Sequence, residues 1–165
     1  FEYGCFCPVM RLHGYRWPLQ PQYGTTGGAP CVSGAPNEVW SYTDQVCEIL
    51  SDYLRLRERM LPYITELMEE AHEKGTPVMR PLFYDFPEDK ESWNVETEYM
   101  FGPKVLVKPI TDADARETDV YLPGGASWTN AWTGETFEGG QKVHVAAPIE
   151  QIPLFTRDGY KLPMK

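Results

Sequence analysis

The sequence predicts an α+β chain: a strand, a long loop and a long helix over residues 1–76, then a small antiparallel β-sandwich over residues 77–165. Three observations predict it. Apolar residues recur with a helical period over residues 41–75. After Thr76 the period falls to about two. Short candidate strands then alternate with Gly- and Pro-containing turns, the pattern of a sandwich or barrel.

Residues 1–13 are apolar and end in a polar cluster. They predict a short buried strand whose carboxyl end carries Arg11 and His13. Residues 14–40 are rich in Gly, Pro, Ser and Thr without a period, so a long loop is expected. Such loops inside a compact domain are functional or disordered as a rule. The helix is read from Val46, Ile49, Leu50, Tyr53, Leu56 or Arg57, Met60, Ile64 and Leu67. Ser41 or Thr43 is its expected N-cap, with Asp44 in the first turn. Gly75 should close it, and Pro77 prevents continuation. Pro62 removes a backbone donor inside the pattern, so a kink or split is expected near Leu61. Residues 78–86 read as extended, 87–90 as a turn, and a short, partly helical link follows through Trp93 and Tyr99. Candidate strands then lie at 105–110, 117–122, 128–132, 136–137, 142–145 and 152–157.

Composition excludes several classes. The chain has 165 residues, 42% hydrophobic and 24% charged, enough to pack a core. Lys+Arg is 15 against Asp+Glu 24, a net charge of −9, which argues against a nucleic-acid partner. No apolar run approaches the roughly 20 residues that span a bilayer, and no membrane partner is expected. Residue 1 is Phe, with no leader-like segment behind it, so it is not expected to be the natural start. Cys5, Cys7, Cys31 and Cys47 do not make a disulfide scaffold in a chain of this length. Only one C-x-C pair exists, so no metal is expected, and neither is a cofactor. Free thiols suit a reducing, cytoplasmic setting.

The residues alone give little chemistry. There is no G-x-S-x-G, no H-E-x-x-H, no phosphate loop and no dinucleotide fingerprint. His13 is the strongest single candidate, at the end of an apolar segment beside Arg11 and before Gly14. It reads either as a histidine satisfied at a strand end or as a residue of a barrel-mouth site. His72 reads as a residue of the last helical turn, His144 as an outward strand residue, and Arg80 as the partner of a carboxylate across the sheet.

The motifs then point to a family. Residues 1–14, FEYGCFCPVMRLHG, resemble a late barrel segment of glycoside hydrolase family 31. Residues 54–64, LRLRERMLPYI, resemble the family's last barrel helix, proline included. GTPVMRPLF at 75–83, EYMFGP at 98–103, VYLP at 120–123, WTG at 132–134 and IPLF at 152–155 continue the match in order. The resemblance implies the last strand and helix of a (β/α)₈ barrel over 1–76, followed by the proximal C-terminal β-sandwich over 77–165. It implies a retaining α-glycosidase acting on α-linked glucosides or xylosides by double displacement, with an aspartate nucleophile and an aspartate acid/base. The family's W-x-D-M-N-E nucleophile motif does not occur here, and neither does its acid/base segment. No catalytic residue is therefore expected in this chain, which looks like a carboxyl-side fragment, inactive alone. His13 falls on the family's subsite −1 histidine and is the expected substrate-binding residue. Arg11 is the secondary candidate, with a more structural role. The long loop with Trp17, Tyr23 and Trp40 leans toward α-xylosidase-like members and would border the plus subsites.

Two further expectations follow. The alternative function is a stand-alone β-sandwich carbohydrate-binding or interaction module using Trp93, Trp128 and Trp132. Trp128 and Trp132, four apart, would then share a face. The helix would also present an apolar stripe that residues 1–13 cannot cover, predicting self-association of the fragment.

Overall fold

A computed structural model describes residues 1–12, the backbone of 19–23 and 30–34, and residues 38–164. The elements are α1 (Glu2–Cys5), β1 (Leu19–Tyr23), β2 (Pro30–Gly34), α2 (Asp44–Arg59), α3 (Leu61–Lys74), β3 (Met79–Arg80), α4 (Leu82–Asp85), β4 (Tyr99–Phe101), β5 (Val105–Val107), β6 (Glu117–Leu122), β7 (Ser127–Asn130), β8 (Thr136–Glu138), β9 (Gln141–Ala146) and β10 (Leu154–Arg157).

The helix forms where its pattern lies. Thr43 caps it, its hydroxyl accepting from the Val46 amide at 3.3 Å. Met60 ends α2, and α3 starts at once with Pro62 in its first turn, where a missing N–H costs nothing. Gly75 terminates α3 in the left-handed conformation, φ 70°.

The β part is an antiparallel sheet in the order β3-β4-β5-β10-β7-β8, with β6 and β9 as a separate pair. Its period-two alternation sorts side chains into two cores. Phe101, Val105, Val107 and Leu154 face α2 and α3, meeting Tyr53, Leu56, Met60, Tyr63, Ile64 and Leu67. Met100, Leu106, Phe155 and Trp128 face the β6–β9 pair, meeting Val120, Leu122, Val143 and Val145. The fold is therefore three layers: helices, sheet, strand pair.

Several expectations are corrected. Residues 1–12 hold no strand; α1 forms instead, with the Cys5 amide on the Phe1 carbonyl, and these residues have no strand beside them to build a ladder. The loop expected over 14–40 contains the antiparallel pair β1–β2. Residues 78–86 are not one extended run. Pro81 has no N–H to continue the ladder, so β3 stops at Arg80 and one turn of helix follows. Tyr99–Phe101, read as the end of a link, is an interior strand between β3 and β5. Trp128 and Trp132 do not share a layer. β7 ends at Asn130, whose side chain accepts from the amides of Trp132 and Thr133 at 2.9 and 3.2 Å and breaks the two-residue period. Trp128 is fully buried against the strand pair, while Trp132 packs with the helical layer and donates to the Ile152 carbonyl at 2.7 Å.

The apolar stripe of α2 and α3 is also covered, by the sheet rather than by residues 1–13. Six large side chains, each stabilising by about 1.5–3 kcal/mol when buried, dock the helices on β4, β5 and β10. The energetic ground for self-association through that stripe is thereby removed. Leu54, Leu61 and Met68 remain exposed on the opposite side.

Candidate functional site

Residues 1–12 precede His13, the candidate residue of the sequence. Phe6 is the anchor: fully buried, edge-on to Tyr53 and Phe101 with ring centroids 6.4 Å from each. Tyr53 is itself fixed, donating to the Glu150 carbonyl at 3.1 Å and accepting from the Ile152 amide at 2.8 Å. At the end of α1 and just beyond it, the backbone carbonyls need donors from elsewhere. The Arg57 guanidinium supplies them, donating to Cys5 at 2.8 Å, Cys7 at 2.7 Å and Pro8 at 3.1 Å. The Tyr99 hydroxyl donates to the Phe6 carbonyl at 3.0 Å. Past this grip Val9, Arg11 and Leu12 are exposed, while Met10 packs back on the core beside Cys5. His13 lies outside the described residues.

The thiols here are not nucleophiles. Cys5 and Cys7 are free and buried, and burial pushes the Cys5 thiol up to about 11, the nearby Arg57 only partly offsetting it. Cys47 is free as well.

The other polar candidates are structural. Arg80 is buried and pairs with Asp85 at 3.0 Å and Glu70 at 3.8 Å. Its partners lie on α4 and α3, not across the sheet. His72 sits in the last turn of α3. His144 points outward on β9 and bonds Asp119 at 2.8 Å; that bond, with a second acid at Glu117, raises its affinity for a proton. Of the three tryptophans weighed as sugar platforms, only Trp93 is exposed. Its ring stacks on Phe83 at 4.6 Å, and its N–H is taken by the Pro87 carbonyl. Among the described residues a cleft of about 570 Å³ lies over α2, with Tyr53, Leu56 and Trp132 in its wall and Asp52, Arg55 and Glu150 at its edge. No residue of the 1–12 segment lines it.

Two buried or half-buried carboxylates brace the β part. Asp89 accepts from the Tyr121 hydroxyl and from the Gly124 amide, each at 2.7 Å. Burial works against its charge, but these bonds outweigh it and hold its carboxyl below the ordinary range. Glu98 accepts from the Tyr121 amide with both oxygens, at 3.0 and 3.2 Å, and faces Lys108 at 3.7 Å. Burial dominates there and pushes the carboxyl from 4.5 up to about 7. Between those values the folded chain holds a proton that the unfolded chain has lost. The contribution of Glu98 is therefore fully present below pH 4.5 and is lost as pH rises through 7, by roughly 3–4 kcal/mol. Comparing urea midpoints across pH 4–8, Glu98→Gln should flatten this fall relative to the parent. Parallel curves for the two proteins would contradict it.

The comparisons give the identity of the frame. The pattern of the "Glycosyl hydrolases family 31 TIM-barrel domain" matches residues 1–67, and that of the "Glycosyl hydrolase family 31 C-terminal domain" matches residues 75–162. The chain belongs to glycoside hydrolase family 31. It is 35% identical to an α-xylosidase of Saccharolobus solfataricus over 99% of this chain, and 39% identical to α-glucosidase 2 of Bacillus thermoamyloliquefaciens over 96%. These matches span only 20% and 18% of the relatives' length. Among solved structures, a family 31 α-xylosidase from a soil metagenome, in complex with xylose, superposes with a TM-score of 0.89 at 46% identity, over 98% of this chain and 24% of that one.

Sequence reasoning missed Arg57 as a determinant of the approach segment. The available signal was its phase: it stands beside Leu56 on the buried side of the helix rather than among the charges of the outer face.

Proposed function

We propose that this chain is the carboxyl-side part of a retaining α-glycosidase, dividing near residue 76 into the end of the catalytic barrel and a bracing β-sandwich. It contributes His13 to the subsite that holds the sugar being cleaved. The nucleophile and the acid/base belong to sequence outside it. The observation that carries this reading is the match over nearly the whole chain to a xylose-bound α-xylosidase at 46% identity. The same match favours α-xylosides over α-glucosides as substrates.

The chemistry follows from the family's two-carboxylate mechanism. One carboxylate attacks the anomeric carbon as the second protonates the departing oxygen, and water then releases the sugar with its configuration kept. A histidine on the sugar hydroxyls contributes by bonds that tighten as the ring flattens toward the oxocarbenium-like state. Arg11, exposed two residues before His13, serves the shape of the segment more than the sugar.

The test is product stereochemistry in the full-length protein. Proton NMR of a fresh p-nitrophenyl α-xyloside digest should show the α-anomer first. Initial release of the β-anomer, or turnover of neither α-xyloside nor α-glucoside, would overturn the reading.

A further inference from the structure

We propose that the cleft over α2 is an accessory binding site for a neutral saccharide, with the Trp132 indole as its stacking face and Asp52, Glu150 and Gln151 as its hydroxyl partners. It lies apart from residues 1–12, none of which lines it.

Three parts of the chain build the cleft: one face of α2, the turn after β7 that carries Trp132, and Glu150 and Gln151 ahead of β10. Its volume of about 570 Å³ falls within the roughly 300–1,000 Å³ of small-molecule sites. The aromatic part is preorganised. Trp132 is half-buried; its indole N–H is spent on the Ile152 carbonyl at 2.7 Å, and its amide is held by the Asn130 side chain at 2.9 Å. Tyr53 braces the indole edge-on, with ring centroids 6.4 Å apart. With its donor used, the indole offers a ligand only its apolar face. Asp52 and Glu150 stand at the edge as exposed acceptors, and the half-buried Gln151 adds an amide. Other ligand classes fit this set poorly. An anion needs a free cation, but both arginines at the cleft are engaged: Arg55 on Asp52 at 2.7 Å, Arg59 on the carbonyls of Pro163 and Met164 at 2.7 and 2.9 Å. Asp52 keeps acceptor sites beyond that pair. A metal ion needs converging ligands, and no such group of three exists among the described residues. A purely apolar ligand would desolvate the carboxylates without bonding them. A pyranose satisfies both parts at once: its C–H face lies on the indole while its hydroxyls donate to the carboxylates.

The experiment is native electrophoresis of the full-length protein through gels with and without xyloglucan or soluble starch, two neutral polysaccharides. At least one of them should retard the parent. The double variant Glu150→Ala, Gln151→Ala removes two rim side chains and leaves the backbone bond of Glu150 to Tyr53 in place. It should weaken the affinity by about fivefold or more. Trp132→Leu, which removes the stacking face, should weaken it by about tenfold or more. Neither change should alter kcat/KM on p-nitrophenyl α-xyloside by more than about twofold, because that small substrate is held elsewhere. The rim variant decides the matter if Trp132→Leu does not fold. No retardation of the parent, equal retardation of parent and rim variant, or a fall in kcat/KM that matches the loss of binding would overturn the proposal. Failure of the proposed catalytic function is seen separately, as a parent that is retarded through the cleft but turns over neither α-xyloside nor α-glucoside.

Discussion

Replacing His13 with alanine in the full-length enzyme is expected to lower kcat/KM by about ten- to a hundredfold while leaving the fold intact. A hydrogen bond to a sugar hydroxyl in a closed site contributes roughly 1.5–3 kcal/mol, which converts to that range. The loss should appear in kcat as well as KM, because bonds that tighten in the transition state affect the chemical step. The fold should survive, since the segment is anchored at Phe6 and at the carbonyls of Cys5, Cys7 and Pro8 that Arg57 holds, all upstream of His13. Steady-state kinetics on α-xyloside and α-glucoside, with melting as the control, read this directly. Unchanged kinetics on every substrate turned over would retire the assignment.

Gly102→Ala should be strongly damaging at the contact between α3 and the sheet. Gly102 has φ +59°, in the left-handed region where an L side chain is disfavoured. Its amide donates to the Val78 carbonyl at 2.7 Å, so the backbone cannot readily turn away. A Cβ built there runs into the Tyr63 hydroxyl and both methyls of Leu67, which leave no room for it. Those side chains are 7% and 3% exposed and form the contact between α3 and the sheet, and Tyr63 also donates to the Phe101 carbonyl at 2.8 Å. Left-handed strain of about 1 kcal/mol and overpacking of about 1–3 kcal/mol combine to roughly 2–4 kcal/mol. For a chain of this size that is a fall in melting temperature of roughly 4–16 °C. Calorimetry on Gly102→Ala, with Gly125→Ala as the comparison, checks the argument. Gly125 also has positive φ, but nothing lies within 4 Å of its added Cβ, so only the backbone strain should register there. Equal shifts would show that packing against α3 contributes nothing.

Legibility in the sequence followed physical cause. Where one face is buried and the other wet, the period is visible: β9 alternates between buried and exposed residues, and α2 carries a stripe with a cap at Thr43. Where both faces are buried the period vanishes. β4 lies between two packed layers, with Met100 and Phe101 both fully buried, and so its pattern did not announce a strand. Residues 1–12 misled for a different reason. An apolar run is compatible with strand or helix, and only the carbonyl acceptors gathered around Arg57 show which path the backbone takes. His13 was singled out by motif resemblance and lies outside the described residues, while the contacts of Arg57 had no motif to mark them. A long-range bond from a helix arginine to carbonyls some fifty residues earlier leaves no local signature.

The most direct measurement on the central claim is an activity assay of the 165-residue chain alone. p-Nitrophenyl α-xyloside and α-glucoside are incubated with it at high protein concentration and release of nitrophenol is followed. The account predicts no turnover above background, because the proposed function assigns the nucleophile and the acid/base to sequence outside this chain. Turnover that disappears on substituting an Asp or Glu of this chain would contradict it.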